Sequence, residues 1–157
     1  MKTTVQDSEQ ASAKFYSKLL RLTIAGGLAF WATTIVFSLL PIAGDFRAEV
    51  SISYIQVVLV QSLIFGLIIE CLVSFGLLRF FDKIPPKNPL LKSEILSLVS
   101  LVIALIVLGV AASRTSDASQ VFLIGAALNV PRFLIPGIVV GYLYSCILGG
   151  IARKGQK

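Results

Sequence analysis

Four long apolar stretches, at 19–43, 54–81, 95–112 and 121–151, are separated by short polar ones. Each meets or nearly meets the roughly 20 helical residues needed to cross a hydrocarbon core of about 30 Å. The third is the shortest, and the fourth is long enough to tilt or break. None alternates with a period of two, which excludes a porin-like barrel. Residues 1–18 (MKTTVQDSEQASAKFYSK) are polar, small and mixed in charge, and they predict a mobile cytoplasmic tail. The apolar run behind them is too long for a signal-peptide core and lacks a small-residue cleavage site, so the sequence predicts an uncleaved anchor. The connections 44–53, 82–94 and 113–120 are short, and Pro85, Pro86 and Pro89 stiffen the middle one. Connections this short make sequential helices antiparallel neighbours. The expected fold is therefore an all-α integral membrane protein. It is one four-helix transmembrane domain over 19–151, with a basic tail at 152–157.

Composition agrees with that pattern. Of 157 residues, 56% are hydrophobic and 14% charged, with mean hydropathy +0.89. A soluble domain carries roughly 25% charged residues. A chain of this size has no room to hide so much apolar surface in a core of its own. A soluble globular enzyme, a disordered chain and a disulfide-framework secreted domain are all excluded.

The net charge of +6 is a topology signal. Lys2, Lys14, Lys18 and Arg21 fall on one side with Arg79, Lys83, Lys87, Lys92, Arg153, Lys154 and Lys157. Only Arg47 and Arg114 fall on the other. The positive-inside rule puts both termini in the cytoplasm and predicts a multi-pass protein of the cell membrane. Anionic lipid at the cytoplasmic face, rather than nucleic acid, is the expected partner of the basic excess.

Two ionisable residues remain within the apolar stretches, Glu70 in the second and Arg132 in the fourth. A charge at a helix centre costs about 2.5–3.5 kcal/mol on insertion scales, so such groups face protein or water and find partners. Glu70 and Arg132 are close enough in expected depth to meet, either as an ion pair that fastens two helices or as part of a binding site. Around Arg132 the sequence reads Asn129-Val130-Pro131-Arg132, then Pro136-Gly137. Pro131 and Pro136 each remove a backbone donor, freeing two carbonyls and predicting a kink or break in the fourth helix. Gly125, Asn129, Arg132 and Pro136 share one helical face.

Small residues mark the packing faces. Ser62, Gly66, Glu70 and Ser74 form a ladder on the second helix, and Ser93, Ser97, Ser100, Ala104 and Ala111 form a stripe on the third. On the fourth helix Gly137, Gly141, Ser145 and Gly149 form another ladder, turned away from Arg132. It is a candidate surface for a homo-oligomer or a partner subunit. Cys71 and Cys146 read as two buried, reduced small residues.

Catalytic and cofactor constellations are missing. With no histidine, no P-loop and no GxSxG motif, neither an enzyme nor a metal or cofactor site is expected. A paired-carboxylate site needs a second acid at membrane depth, and Glu94 reads as lying at the cytoplasmic end of the third helix, not beside Glu70. The expected function is a polar intramembrane site of Glu70, Ser74, Asn129, Pro131, Arg132 and Pro136 that binds or helps move a small polar or ionic solute. The alternative is a structural or accessory subunit in which Glu70 and Arg132 only fasten helices.

Overall fold

The computed structural model describes residues 2–49, 54–85 and 88–154. Pro86, Lys87 and Lys157 lie outside them, and Gly149, Arg153 and Lys154 are described only through their backbone. The described chain is helical throughout: α1 Lys2–Ser38, α2 Pro41–Glu49, α3 Ile55–Arg79, α4 Pro89–Ala112 and α5 Ala118–Lys154, with a single 3-10 turn at Phe81–Lys83. Among these, Ser12–Ser38, Ile55–Arg79, Pro89–Ala112 and Ala118–Ile147 are long and apolar enough to cross a membrane.

The polar and apolar surfaces are arranged as lipid requires. Ile64, Ile68 and Leu72 on α3, and Val102, Ile103, Ile106 and Val107 on α4, are exposed, whereas Glu70, Ser74, Ser93 and Ser97 are buried. An apolar exterior of this extent is intolerable in water and matched in a bilayer. The chain is a multi-pass membrane protein.

Local chemistry explains where the helix boundaries depart from the apolar stretches. Residues 2–18 continue α1 instead of forming a loose tail. They contain no glycine or proline and are rich in good helix formers, and Phe15 packs edge-on against Phe75 with centroids 6.2 Å apart. Pro41, suited to the first turn of a helix, starts the short α2 where a loop is expected from residue 44 onward. Arg47 Nη1 donates to the Ser38 carbonyl at 3.1 Å, satisfying an otherwise free acceptor at the end of α1. The third span begins at Pro89 rather than 95, because Asn88 Oδ1 accepts from Leu90 N at 3.0 Å and caps the helix. Asp117 Oδ1 accepts from Gln120 N at 3.2 Å at the start of α5. That helix then runs through Pro131 and Pro136 without a break.

The most extensive packing is of α4 on α5, then α1 on α3 and α1 on α5, while α3 and α4 touch less. Absent side chains permit the closest approaches. A Cβ at Gly141 would lie 2.8 Å from the Leu90 backbone, and one at Gly66 would lie 2.8 Å from the Phe30 ring. Trp31 Nε1 donates to the Leu59 carbonyl at 3.1 Å, tying α1 to α3. The ladder of Gly137 and Gly141 is thus occupied by α4 within the same chain, while Ala111, the last member of the small stripe on α4, is exposed. Both cysteines are free; Cys71 is half-buried, but Cys146 is exposed rather than buried.

Two apolar clusters fill the interior. One joins Leu22, Leu77, Val140 and Tyr144. The other joins Phe30, Leu101 and Phe133, with the Phe30 and Phe133 rings edge to face at 5.5 Å.

The glycine contacts predict unequal tolerance of alanine. Gly141→Ala, which meets backbone, should destabilise the protein by about 1–3 kcal/mol. Gly76→Ala, whose Cβ finds only Leu96 side-chain atoms at 3.4 Å and beyond, should stay within about 0.5 kcal/mol of the parent. Unfolding titrations in detergent measure both.

Candidate functional site

Between the two apolar clusters lies a polar layer to which four helices contribute. On α1, Gly26 falls between Leu22 and Phe30; on α5, Gly137 falls between Phe133 and Val140. On α3, Glu70 and Ser74 fall between Ile69 and Leu77; on α4, Ser97 precedes Leu101 and is one turn beyond Ser93 and Glu94. At 1.5 Å per residue Glu70 and Ser97 sit roughly 5 Å from the middle of their spans, toward the connection between α3 and α4, and Ser74, Ser93 and Glu94 roughly 10 Å.

Glycine makes the room. A Cβ at Gly26 would lie 2.5 Å from Glu70 Oε2 and 2.7 Å from Val140 Cγ2. A Cβ at Gly137 would lie 2.6 Å from Ser97 Oγ and 2.9 Å from Glu94 Oε1. Both carboxylates therefore press into gaps left by missing side chains, Glu70 against α1 and Glu94 against α5. Glu94 lies near the start of α4, at the end of the third helix where the sequence places it, with Oε1 turned toward Gly137. The Asn88 cap and Pro89 start α4 early enough to carry Glu94 one turn into the span, on the face that meets α5.

The layer's oxygens are short of partners. Glu70 is 1% exposed and Ser97 1%, and Ser74 and Ser93 are fully buried. Glu70 Oε2, Glu94 Oε1 and the Oγ atoms of Ser74, Ser93 and Ser97 are all buried without a hydrogen-bond partner. Burying a polar group without a partner costs roughly 1–3 kcal/mol, more for a charged one. Five such atoms gathered in one layer are expensive for a bundle that needs them only for packing.

Arg132 lies five residues before Gly137 on α5. It is half-buried, and its Nε lacks a partner, as does Glu70 Oε2. Among the described residues no ion pair joins the two, so the expected helix-fastening contact is not formed. Asn129 and Pro131 are half-buried on the same helix, and Pro136 is buried immediately before Gly137. Of the sequence-derived site, Glu70 and Ser74 are buried on α3; on α4, Ser97 Oγ and Glu94 Oε1 meet at the gap left by Gly137, and Ser93 lies against Gly141. The serines were visible only as a packing stripe, since spacing alone does not distinguish a packing hydroxyl from an unpartnered one.

Lys92 also departs from its reading as a loop cation. It is 4% exposed, its Nζ donates to the Phe81 carbonyl, and it lies over the Phe81 ring 3.5 Å from the centroid. A cation over an aromatic face is held by the ring quadrupole. Its charge is thereby engaged at the end of α3.

A double-mutant cycle tests these neighbourhoods. Glu70→Gln and Arg132→Gln should combine additively, with coupling below about 0.5 kcal/mol, while Glu70→Gln and Glu94→Gln should couple by more. Exchanging the charges of Glu70 and Arg132 should rescue nothing. Compared with protein-family models, curated proteins and solved structures, the chain matches none of them.

Proposed function

We propose that this chain is a non-enzymatic, multi-pass protein of the cell membrane whose polar layer binds or helps move a small polar or ionic solute. The supporting observation is the group of unpartnered buried oxygens on Glu70, Ser74, Ser93, Glu94 and Ser97. Polar groups at membrane depth mark solute pathways when they face the bundle interior. The helix-fastening alternative loses its main support, because Glu70 and Arg132 are not joined.

The bundle is read as antiparallel with both termini in the cytoplasm. Short connections support this, as does the order of contacts, Gly141 meeting Leu90, Gly137 meeting Ser97 and Gly109 approaching Phe122. Lys14, Lys18 and Arg21 line a cleft of about 430 Å³ on α1 beside Ile147. Cations at that level suit anionic lipid of the cytoplasmic leaflet. Pro131 and Pro136 bend α5 in this reading without interrupting it.

Cysteine labelling in membranes tests both parts, in a chain with Cys71→Ala and Cys146→Ala. Under the solute-site reading, Ser97→Cys reacts with a small cationic thiol reagent although it lies at membrane depth; under the fastening reading it is inert. Lys83→Cys should react only from the cytoplasmic side and Ser116→Cys only from the other. Lys83→Cys reacting from outside would overturn the orientation.

A further inference from the structure

Glu70 sits on a seam that leads out of the bundle. Along the contact of α1 with α3, Phe30 meets Gly66, Gly26 meets Glu70 and Phe15 meets Phe75, so the two helices touch in opposite chain order. Where this seam opens, Ser12, Phe15, Tyr16, Phe75 and Arg79 line a cleft of about 440 Å³. Two hydroxyls fall between that cleft and Glu70. Thr23 lies between Phe15 and Gly26 on α1, and Ser74 lies between Glu70 and Phe75 on α3. Thr23 shares a helical face with Gly27 and Phe30, both of which meet α3. Ser74 is one turn beyond Glu70 on the same face of α3.

Both hydroxyls depart from their neighbours. Thr33 and Thr34 on α1 donate to their own helix at Ala29 and Phe30, and Ser62 on α3 donates to Leu59. Thr23 Oγ1 and Ser74 Oγ are instead buried without a hydrogen-bond partner, so each keeps a donor and an acceptor unused.

The acid itself lacks a counter-charge. Glu70 is 1% exposed, and its Oε2 has no partner. The titratable groups of the surrounding helices are placed elsewhere. On α1, Lys18 and Arg21 line the cleft beside Ile147 of α5. On α3, Cys71 is half-buried and Arg79 lines the outer cleft. On α4, Glu94 lies at Gly137 and Lys92 is committed to the Phe81 carbonyl and ring. On α5, Tyr144 packs on Phe81, and Arg132 makes no ion pair with Glu70. A buried carboxylate without a cation is costly, and taking up a proton removes the charge. Mg²⁺ or Ca²⁺ requires at least about six oxygens around it, whereas a proton requires one. The contact at Gly26 supplies one carboxyl group.

We propose that the ionic solute bound at Glu70 is a proton, exchanged with the aqueous cleft along the α1–α3 seam past Ser74 and Thr23. On uptake a hydronium ion gives its proton to a carboxylate oxygen of Glu70 and leaves as water; release is the reverse. Each hydroxyl accepts on one side and donates on the other, with water bridging the intervals. The inference deepens the proposed solute site and rests on it.

Infrared spectra of the full chain in lipid nanodiscs, recorded through a pH titration in H₂O and in D₂O, test this. The difference between parent and Glu70→Gln should contain the carbonyl stretch of a protonated carboxyl, growing as pH falls and moving to lower frequency in D₂O. Glu70→Asp, which keeps an acid at the site, makes the same assignment if the glutamine variant does not fold. Thr23→Val and Ser74→Ala, which remove hydroxyls without a partner, should keep the band and each slow its exchange roughly tenfold. Asp82→Asn, which removes an exposed acid, should exchange like the parent. The proposal is overturned if no band of Glu70 titrates, if the band does not move in D₂O, or if both hydroxyl variants exchange at the parent rate. Ser97→Cys that reacts with the thiol reagent in a protein whose Glu70 does not exchange sinks the proton while leaving the solute site standing. Ser97→Cys that stays inert in such a protein sinks both.

Discussion

The close approach of α4 to α5 at Gly141 is the contact on which the rest of the bundle depends. In lipid, apolar side chains gain little by leaving one hydrocarbon surface for another, so helix association rests on tight packing and on polar contacts. Missing side chains at Gly137 and Gly141 bring the backbone of α5 against the first turns of α4. That contact places Ser93, Glu94 and Ser97 inside the bundle. Gly26 and Gly66 do the same for α1 against α3, and so place Glu70. The two glycine-lined contacts carry the polar layer inward, and the apolar clusters on either side separate it from the ends of the bundle.

A layer of this kind runs against the economy of a purely structural bundle. Serines that only pack close the hydrogen bond onto their own helix, and carboxylates that only fasten helices find a cation on a neighbour. Neither happens around Glu70. The same glycines that permit tight packing leave each acid room, Glu70 at Gly26 and Glu94 at Gly137, without a basic partner for Glu70.

Much of this was legible in the sequence, and the limits have physical causes. The spans follow from apolar length alone, and Glu70 stands out because a lone acid in an apolar run has few structural reasons to exist. The buried face of α3 was legible as well, since Gly66, Glu70 and Ser74 recur at helical spacing and are all buried. The start of the third helix was placed too late because hydropathy puts it where apolar residues begin, whereas Asn88 and Pro89 start it earlier through hydrogen bonding and backbone geometry. Whether Arg132 pairs with Glu70 was not legible for a related reason. Depth along a helix can be counted from sequence, but the direction a side chain takes toward another helix depends on how the two pack. The prolines of α5 free carbonyls as expected, yet 37 residues of continuous helix absorb them.

The length of α1 has a mechanical consequence. Its 37 residues extend about 55 Å at 1.5 Å per residue, well beyond a hydrocarbon core of about 30 Å. The same rod that carries Gly26 against Glu70 thus projects past the bilayer as a lever with no hinge residue between its two parts. Gly26 and Gly27 are the first glycines along it, so the projecting arm and the span form one continuous helix up to the point where α1 meets Glu70.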